Sequence, residues 1–214
     1  CHPLGADNKL VIAPGMLSGT AAAMSGRLSI GTKSPLTGGI KEANSGGQGA
    51  QVLARLGYAA IVLEGKPQKD DLYRLHINKD GVKVILDNSL KLLPNYELVE
   101  RMKYQYGRKI TCISIGPAGE MKMCAASIAV TDPELRPTRH AGRGGVGAVM
   151  GAKRVKAIVL DDTETQMRSP KDPDKFKEAN KRFVEGLRKH PVTGQGLPTY
   201  GTNEGVIIFE TNSG

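Results

Sequence analysis

The sequence predicts an α+β fold in which two similar structural units follow one another. Two observations support this prediction. Short stretches rich in valine and isoleucine recur along the chain, and a few helical patterns lie irregularly between them, which favours α+β over a regular βαβ array. In addition, one pattern of strand, loop, glycine pair, helix and strand occurs twice. Two such units usually pack about a pseudo-two-fold axis.

The predicted strands are short, and several of them alternate apolar and polar residues as half-buried strands do. Hydrophobic residues make up 39% of the chain and aromatic residues only 4%, so the core is expected to be aliphatic. Asp80-Gly81 is a hairpin signal because both residue types accept positive φ. The strands are expected at residues 9–13, 27–32, 59–65, 72–77, 82–87, 109–115, 126–131 and 155–162.

Helical patterns are fewer than strand patterns. Asn95 follows Pro94 and is predicted to cap a helix that ends at Gly107. The longest predicted helix begins at Asp172 and Pro173, and two shorter helices open on glycines. The helices are expected at residues 48–57, 95–107, 146–153 and 172–189.

The internal repeat becomes visible when the chain is compared with itself. The sequence "SIGTKSP" at 29–35 matches "SIAVTDP" at 127–133 at serine, isoleucine and proline. Seventeen residues after each serine comes a glycine pair, in "GGQGA" or "GGVGA", which leads through a short helix to "IVLE" or "IVLD". We therefore expect the two glycine loops to face each other across one cavity, with Asn44 and Gly142 on the same side of the domain.

The formal charge of +9 favours anionic partners. Proteins that grip single-stranded nucleic acid use aromatic stacking platforms, and this chain has few aromatics, so a phosphate on a small molecule is favoured over nucleic acid. No apolar run approaches the roughly 20 residues of a membrane span. The three cysteines, Cys1, Cys112 and Cys124, form no C-x-x-C pair, which predicts a cytoplasmic, reduced setting with Cys112 and Cys124 in the core.

The glycine-rich stretch "RHAGRGGVGA" contains a G-x-G-x-x-G pattern at Gly142, Gly144 and Gly147. It could be a tight turn that lets a helix approach a sheet. An anion site is favoured because Arg139 and Arg143 flank the glycines, and a guanidinium forms paired hydrogen bonds with phosphate oxygens. The first glycine loop has the same combination of glycines with a nearby arginine, which lies upstream of it.

A dinucleotide-binding loop is a further interpretation of this pattern, since Asp161 and Asp162 lie about twenty residues beyond it. That fingerprint requires a strand running directly into the first glycine, whereas "DPELRPTRHA" intervenes here. A P-loop is excluded because no G-K-[ST] follows the glycines.

The remaining polar residues are expected to have ordinary roles. Asp161 and Asp162 are expected to solubilise a strand end. A solvated basic face is predicted for Lys153, Arg154 and Lys156. His140 is expected to supply backbone and a polar rim to its loop, and the isolated His2, His76 and His190 show no sign of a ligand role.

The stretches "NKLVIAPGMLSGTAAAMSGRLSIGTKSPLTGGIKEANSGG", "GYAAIVLEGKP", "SIGPAGE", "RHAGRGGVGAVMGAKRVKAIVL" and "GLPTYGT" together resemble the tungsten-containing aldehyde:ferredoxin oxidoreductase family, chiefly its N-terminal domain. The resemblance covers nearly the whole chain in order. It implies two β-sheets related by a pseudo-two-fold axis, which carry a tungsten (or molybdenum) bis-pterin cofactor. It also implies a nearby [4Fe-4S] cluster and ferredoxin, or another electron-transfer subunit, as electron acceptor.

The resemblance assigns cofactor contacts residue by residue. In the first half it implies Arg27, Asn44 and Gly46. In the second half it implies contacts from "RHAGRGG", namely Arg139, His140, Gly142 and Arg143. A bridging magnesium ion would be bound by the backbone carbonyls of Asn44 and His140. Members of the family often have a small residue at the position of His140, so the resemblance gives no role to this side chain.

The resemblance also implies a domain division. Residues 1–165 would form the pterin-binding domain without its opening strands, and residues 166–214 would begin a helical domain. No catalytic residue is expected in this segment, because the cluster cysteines and the catalytic acid and histidine would lie beyond it. The predicted activity is oxidation of aldehydes to carboxylic acids, with a homodimer as one candidate assembly. Alternatives are another substrate, such as an aromatic acyl compound, and a non-catalytic pterin-binding module.

Overall fold

The computed structural model describes residues 1–203, which form two compact units. The first unit contains residues 1–20 and 24–168, and the second contains residues 21–23 and the chain from Ser169 onward. The expected beginning of a helical domain at 166–214 extends past residue 203, so its last residues lie outside the described part.

The first unit begins with a four-stranded antiparallel sheet. Its strand order is β3-β2-β1-β4. Val52 and Leu53 on helix α1 are buried in the core cluster that also includes residues of β1 and β2. The elements are β1 (Leu10–Pro14), β2 (Leu28–Lys33), β3 (Ile40–Ser45), α1 (Gly49–Arg55) and β4 (Ile61–Leu63).

A six-stranded sheet completes the first unit, in the order β6-β5-β10-β7-β8-β9. All its neighbouring strands are antiparallel except β5 and β10, which are parallel. The elements are β5 (Tyr73–Asn78), β6 (Gly81–Leu86), α2 (Asn95–Tyr106), β7 (Thr111–Ser114), α3 (Pro117–Glu120), β8 (Ile128–Val130), β9 (Arg139–Ala141), α4 (Val146–Ala152) and β10 (Val155–Leu160), with a 3₁₀ turn at Asn88–Leu90.

The two sheets repeat one topology. The order β3-β2-β1-β4 recurs as β9-β8-β7-β10, with α1 and α4 at equivalent places, and β5 and β6 extend only the second copy. The register agrees as well: Ile30 pairs with Ala43, and Ile128 pairs with Ala141, each 98 positions further on. The predicted α+β fold with two sheets is confirmed, and the paired registers support the internal duplication.

Within the first unit, two strands and one short α-helix were not predicted from the sequence. β3 is polar and largely exposed at a sheet edge, and β9 is a three-residue edge strand, so neither has the aliphatic alternation of a half-buried strand. α3 is a single helical turn of four residues, in a stretch for which no helix was predicted. Asn95 is not the cap of α2 but its first residue, with Pro94 before it, and its Oδ1 accepts a hydrogen bond from Ser114.

Glycines allow α4 to approach neighbouring backbone closely. A Cβ added at Gly147 would lie 2.4 Å from the carbonyl oxygen of Ser127, and one at Gly151 would lie 1.9 Å from that of Gly119. No side chain fits at such distances. The small residues therefore bring α4 into contact with α3 and with the Ser127 end of β8.

In the hairpin between β5 and β6, Gly81 has positive φ and Asp80 does not.

The prediction that Lys153, Arg154 and Lys156 form a solvated face is wrong, because all three residues are buried. Lys153 and Arg154 come just before β10, and Lys156 lies on this strand, which is central in its sheet and buried along its whole length, so these basic groups need partners. Lys156 pairs with Glu120 and donates to the carbonyl oxygen of Leu93 at 2.8 Å. Lys153 donates to the carbonyl oxygen of Ala6, and Arg154 pairs with Asp70.

The placement of the cysteines corrects a second prediction. Cys112 is buried in the core, as expected, and burial raises the pKa of its thiol to about 12. Cys124 is exposed, because it lies in the loop between α3 and β8 rather than on a strand. Asp162 does more than solubilise a strand end, since it forms an ion pair with Arg55 of α1 at 2.9 Å.

The second unit is helical in its described part. Asp172 caps helix α5 (Pro173–Lys189) by accepting a hydrogen bond from the backbone N–H of Lys175, as its sequence predicts. A π-helical turn (Val192–Gly196), helix α6 (Leu197–Tyr200) and a 3₁₀ turn (Gly201–Asn203) follow. No helix within residues 1–203 is both long and apolar enough to cross a membrane.

The Lys156–Glu120 pair gives a first prediction. Lys156→Met leaves the Glu120 carboxylate buried without a counter-ion, and Glu120→Gln leaves the Lys156 ammonium buried without one. Each variant should therefore lose about 3–5 kcal/mol of unfolding free energy. The double variant buries no charge and should lose clearly less than the sum of the two. Urea unfolding of the four proteins measures this coupling.

The control for this cycle is the exposed pair Lys79–Glu164, where Glu164→Gln should change stability by no more than about 0.5 kcal/mol. Additive losses in the Lys156 and Glu120 cycle would contradict the assignment of a buried, mutually dependent pair.

His76 gives a second prediction. Its ring stacks on Tyr106 with centroids 4.3 Å apart, and its Nε2 is buried without a hydrogen-bond partner. Burial lowers the pKa of His76, and Lys83 and Arg74 add to this effect while Asp161 opposes it. The unfolded chain therefore binds a proton at higher pH than the folded chain, and stability should be lost as the pH falls below about 6.5.

His76→Phe keeps the stacked ring and removes the titrating group. Melting temperatures measured between about pH 7.5 and pH 5 should therefore fall less steeply for this variant than for the unmodified chain. His2→Phe, at an exposed position, is the matched control. Identical pH profiles for the unmodified chain and His76→Phe would show that His76 does not contribute.

Candidate functional site

A cavity of about 500 Å³ lies in the first unit, where the start of β2, the end of β3 and the strand β9 meet. It joins residues from both halves of the duplication. None of the lining residues is acidic, and two of them are arginines. The lining residues are Arg27, Asn44, Gly46, Gly47, Pro133, Thr138, Arg139 and His140.

The glycine pair Gly46-Gly47 forms one wall of the cavity. Gly47 has φ of +90°, and a Cβ there would lie 2.6 Å from the carbonyl oxygen of Thr131, so only glycine fits. A Cβ at Gly46 would meet no atom closer than 3.9 Å and would lie between Arg27 Nη1 and Arg139 Cδ. Neither glycine donates its backbone N–H to an acceptor within residues 1–203. The pair therefore leaves open space, with free donors, between two arginines.

Arg27 is held by a chain of hydrogen bonds on β2 and β3. Its Nε donates to Asn44 Oδ1, and the Asn44 amide donates to Glu42 Oε1 at 3.3 Å. Ser29 Oγ donates to the same carboxylate oxygen at 2.7 Å. The terminal nitrogens of Arg27 have no protein acceptor within residues 1–203, so they remain available for an anion.

Arg139 reaches the cavity from the other half. Its Cγ lies 3.4 Å from the position of a Cβ on Gly47, so its aliphatic stem packs over the glycine pair, and its guanidinium has no acceptor within the described residues. The Cα partner of His140 is Ala129 on β8, and Ser127 Oγ lies 2.9 Å from His140 Nδ1.

Asp132 fixes the loop that precedes β9 and supplies Pro133 and Thr138 to the cavity. Its carboxylate accepts hydrogen bonds from the backbone N–H and Nε of Arg136, both at 2.9 Å, and from Thr138 Oγ1 at 3.1 Å. Burial alone would raise the pKa of Asp132, but these hydrogen bonds outweigh it and lower the pKa. The carboxylate therefore stays ionised and keeps the loop in place.

The second glycine loop has a reciprocal environment. Ser34 Oγ donates to the carbonyl oxygen of Gly144 at 2.7 Å, and a Cβ at Gly144 would lie 2.5 Å from Lys41 Cγ. By the register of the sheets, Lys41 is the counterpart of Arg139. Each glycine pair is thus covered by the stem of a basic side chain from the other half.

The structure brings together five of the seven residues that the sequence singled out: Arg27, Asn44, Gly46, Arg139 and His140. Gly142 and Arg143 are exposed just after β9 and are not among the lining residues. The sequence reasoning missed Gly47, Pro133 and Thr138. Gly47 could have been found as the second glycine of the repeated pair. The position of Thr138 in the cavity depends on the fold of its loop, which the sequence did not indicate. Within residues 1–203, no group of three or more His, Cys, Asp or Glu side chains could hold a metal ion.

The fold and the cavity define a duplicated α+β domain whose two halves meet at a cavity lined by two arginines and by no acidic residue. Residues 1–162 match the family described as "Aldehyde ferredoxin oxidoreductase, N-terminal domain". The chain belongs to the aldehyde ferredoxin oxidoreductase family.

Known relatives support this membership. The tungsten-containing aldehyde ferredoxin oxidoreductases of Pyrococcus furiosus and Pyrococcus horikoshii are 41% and 44% identical over 98% and 94% of this chain. The chain spans about a third of the length of these relatives, 33% and 32%. An "Aliphatic sulfonate oxidoreductase, WOR-like subunit" of Pyrococcus furiosus is 30% identical over 73% of the chain and 26% of its own length.

A solved structure has the same fold. The "Active site complex BamBC of Benzoyl Coenzyme A reductase in complex with 1,5 Dienoyl-CoA" superposes with a TM-score of 0.80 at 30% identity. The superposition covers 88% of this chain and 27% of that chain.

Gly46 and Gly47 give a third prediction. The methyl group of Gly46→Ala would make only ordinary van der Waals contacts, 3.9 Å from Arg27 Nη1 and 4.0 Å from Arg139 Cδ, so the melting temperature should be unchanged. Because the methyl group lies between the two arginines, it should weaken binding of inorganic pyrophosphate. Gly47→Ala must adopt positive φ against a carbonyl oxygen and should destabilise the chain by about 1–3 kcal/mol. Thermal unfolding and calorimetric titration measure the two effects.

Gly39→Ala is the matched control, since its Cβ would also meet open space but lies outside the cavity. Equal melting temperatures for the Gly46 and Gly47 variants, or unchanged pyrophosphate binding by Gly46→Ala, would contradict this description of the wall.

Proposed function

We propose that this chain is the cofactor-binding domain of an oxidoreductase that oxidises aldehydes to carboxylic acids at a tungsten bis-pterin centre. The observation that carries the proposal is the cavity in which Arg27 and Arg139, one from each half of the duplication, flank the glycine pair. A cofactor with two phosphate-bearing pterins matches this arrangement, because each half supplies a basic side chain and an open backbone surface.

The residues of the cavity fit the phosphate-bearing part of such a cofactor. Arg27 and Arg139 have free guanidinium nitrogens for charge-assisted hydrogen bonds, and Gly46 leaves the space between them open. Asn44 and His140 would hold a magnesium ion through their backbone carbonyls. Gly142 and Arg143 would extend the contact surface on the second half.

The roles of this chain are binding, orientation and charge neutralisation. When bound, tungsten held by the pterin dithiolenes supplies the redox chemistry, by which an aldehyde and water give a carboxylate, protons and two electrons. We propose that these electrons leave through a [4Fe-4S] cluster, whose ligands lie outside this chain, to ferredoxin or another electron-transfer subunit. The free Cys1, Cys112 and Cys124 favour a reducing, cytoplasmic setting.

A second candidate function is the same cofactor chemistry on another substrate. The similarity to a subunit of an aliphatic sulfonate oxidoreductase and to a benzoyl coenzyme A reductase complex supports this alternative. The residues of the cavity would bind cofactor in both cases, so substrate assays, rather than variants of this chain, separate the two. A non-catalytic pterin-binding module would be purified with pterin but without iron.

Arg139 gives the test of the proposed function. The protein is expressed from its complete gene with tungstate, and tungsten per chain is measured together with aldehyde oxidation by an artificial electron acceptor. Arg139→Ala removes a hydrogen bond to a charged group, which should weaken cofactor binding by about 1.5–3 kcal/mol and lower tungsten content. Activity per tungsten should stay nearly unchanged. Arg139→Lys should rescue only in part, because lysine restores the charge but not the planar fork.

Arg108→Ala is the matched control, since Arg108 is exposed and has no side-chain partner within residues 1–203. Arg143→Ala should lower tungsten content less than Arg139→Ala, because Arg143 lies outside the lining of the cavity. Full tungsten content in Arg139→Ala, or no tungsten in the unmodified protein, would overturn the proposal.

A further inference from the structure

We propose that the imidazole of His140 donates a hydrogen bond from Nε2 to the anionic group bound in the cavity, and that Ser127 positions it for this role. The inference rests on the proposed function and deepens it. It gives the side chain of His140 a role in addition to the one proposed for its backbone carbonyl.

The geometry leaves one ring nitrogen free. Ser127 Oγ lies 2.9 Å from His140 Nδ1, and both residues are on the strands or strand ends that border the cavity. Nε2, on the opposite side of the ring, has no protein partner within residues 1–203. His140 lines the cavity together with Arg27 and Arg139, so Nε2 is the polar atom that its ring offers there.

The contact with Ser127 also allows the tautomer that this role requires. In a neutral imidazole one nitrogen carries the proton and the other accepts a hydrogen bond. When the Ser127 hydroxyl donates to Nδ1, the proton of the ring is on Nε2, which then acts as a donor. The Ser127 hydroxyl has no other hydrogen-bond partner in the described chain, so its proton is available for donation to Nδ1. An imidazole in this tautomer is sufficient for the proposed hydrogen bond.

The duplication shows that this arrangement is specific to one half. Ser29 and Glu42 occupy the positions 98 residues before Ser127 and His140. Ser29 Oγ donates to Glu42 Oε1 at the place where Ser127 Oγ contacts His140 Nδ1. The Glu42 carboxylate would repel an anion, and it instead accepts from Asn44, which orients Arg27. In the first half, Ser29 and Glu42 thus support Arg27 indirectly, through Asn44. In the second half, Ser127 and His140 present a donor directly to the cavity.

The test compares His140→Ala, Ser127→Ala and the unmodified protein, each expressed from its complete gene. The apoprotein is titrated with inorganic phosphate, and the rise in melting temperature gives the half-saturating concentration. We expect that concentration to rise roughly two- to tenfold for His140→Ala, as for loss of one hydrogen bond, and to a smaller extent for Ser127→Ala. His140→Gln, which keeps an N–H donor, should fall between His140→Ala and the unmodified protein.

Tungsten content of the same proteins purified with cofactor is the second measurement, and it should fall in the same order. Because His140 is exposed, the melting temperature without phosphate should be unchanged, and His2→Ala is the control for loss of an exposed imidazole.

The two proposals fail in different ways. Unchanged phosphate saturation and tungsten content in His140→Ala, with tungsten present in the unmodified protein, overturn the role of His140 and leave the proposed function intact. Absence of tungsten from the unmodified protein overturns the proposed function, and the phosphate titration still decides whether His140 contacts an anion.

Discussion

The structure depends on the contact between each glycine pair and the opposite half of the duplication. The backbone N–H of Gln48 donates to the carbonyl oxygen of Thr131 at 3.0 Å, which brings the first glycine loop against the end of β8. In the other direction, Ser34 at the end of β2 donates to the carbonyl oxygen of Gly144. These two hydrogen bonds join the sheets at the point where β3 and β9 approach, and the cavity exists because that approach is close.

A buried ion pair links β10 to α3 in the sheet that carries the second half of the site. Lys156 and Glu120 form an ion pair inside the protein, and Glu120 also accepts the backbone N–H of Leu92, whose φ is positive. The pair therefore holds α3 and the turn before α2 on the same strand. Burial lowers the pKa of Lys156, and Glu120 opposes this change by hydrogen bond and charge. A charged pair in this position is costly to desolvate, but removing one partner alone costs more.

Sequence patterns predicted the aliphatic strands and the duplication, because burial of one sheet face leaves a period-two signal and a repeat leaves an identical spacing. They did not predict β3 and β9, since edge strands with exposed faces carry polar residues. The meeting of Asn44 with His140 depends on those two strands, so it could be inferred only from the repeat and from the family resemblance. A lysine within a short apolar run did not indicate that Lys156 is buried. Its partner Glu120 is 36 positions away in the sequence, and only the fold of α3 brings the two residues together.

The backbone contact of Gly47 with Thr131 has a consequence for the energetics of binding. A loop that becomes ordered only when its ligand arrives pays conformational entropy at that moment, on the order of 1–2 kcal/mol for each residue fixed. Here the glycine loop is fixed by the carbonyl oxygen of Thr131 and the N–H of Gln48 when the two sheets fold together. The wall of the cavity is therefore preorganised, and the free energy of its contacts with a ligand is available for affinity rather than for ordering the chain.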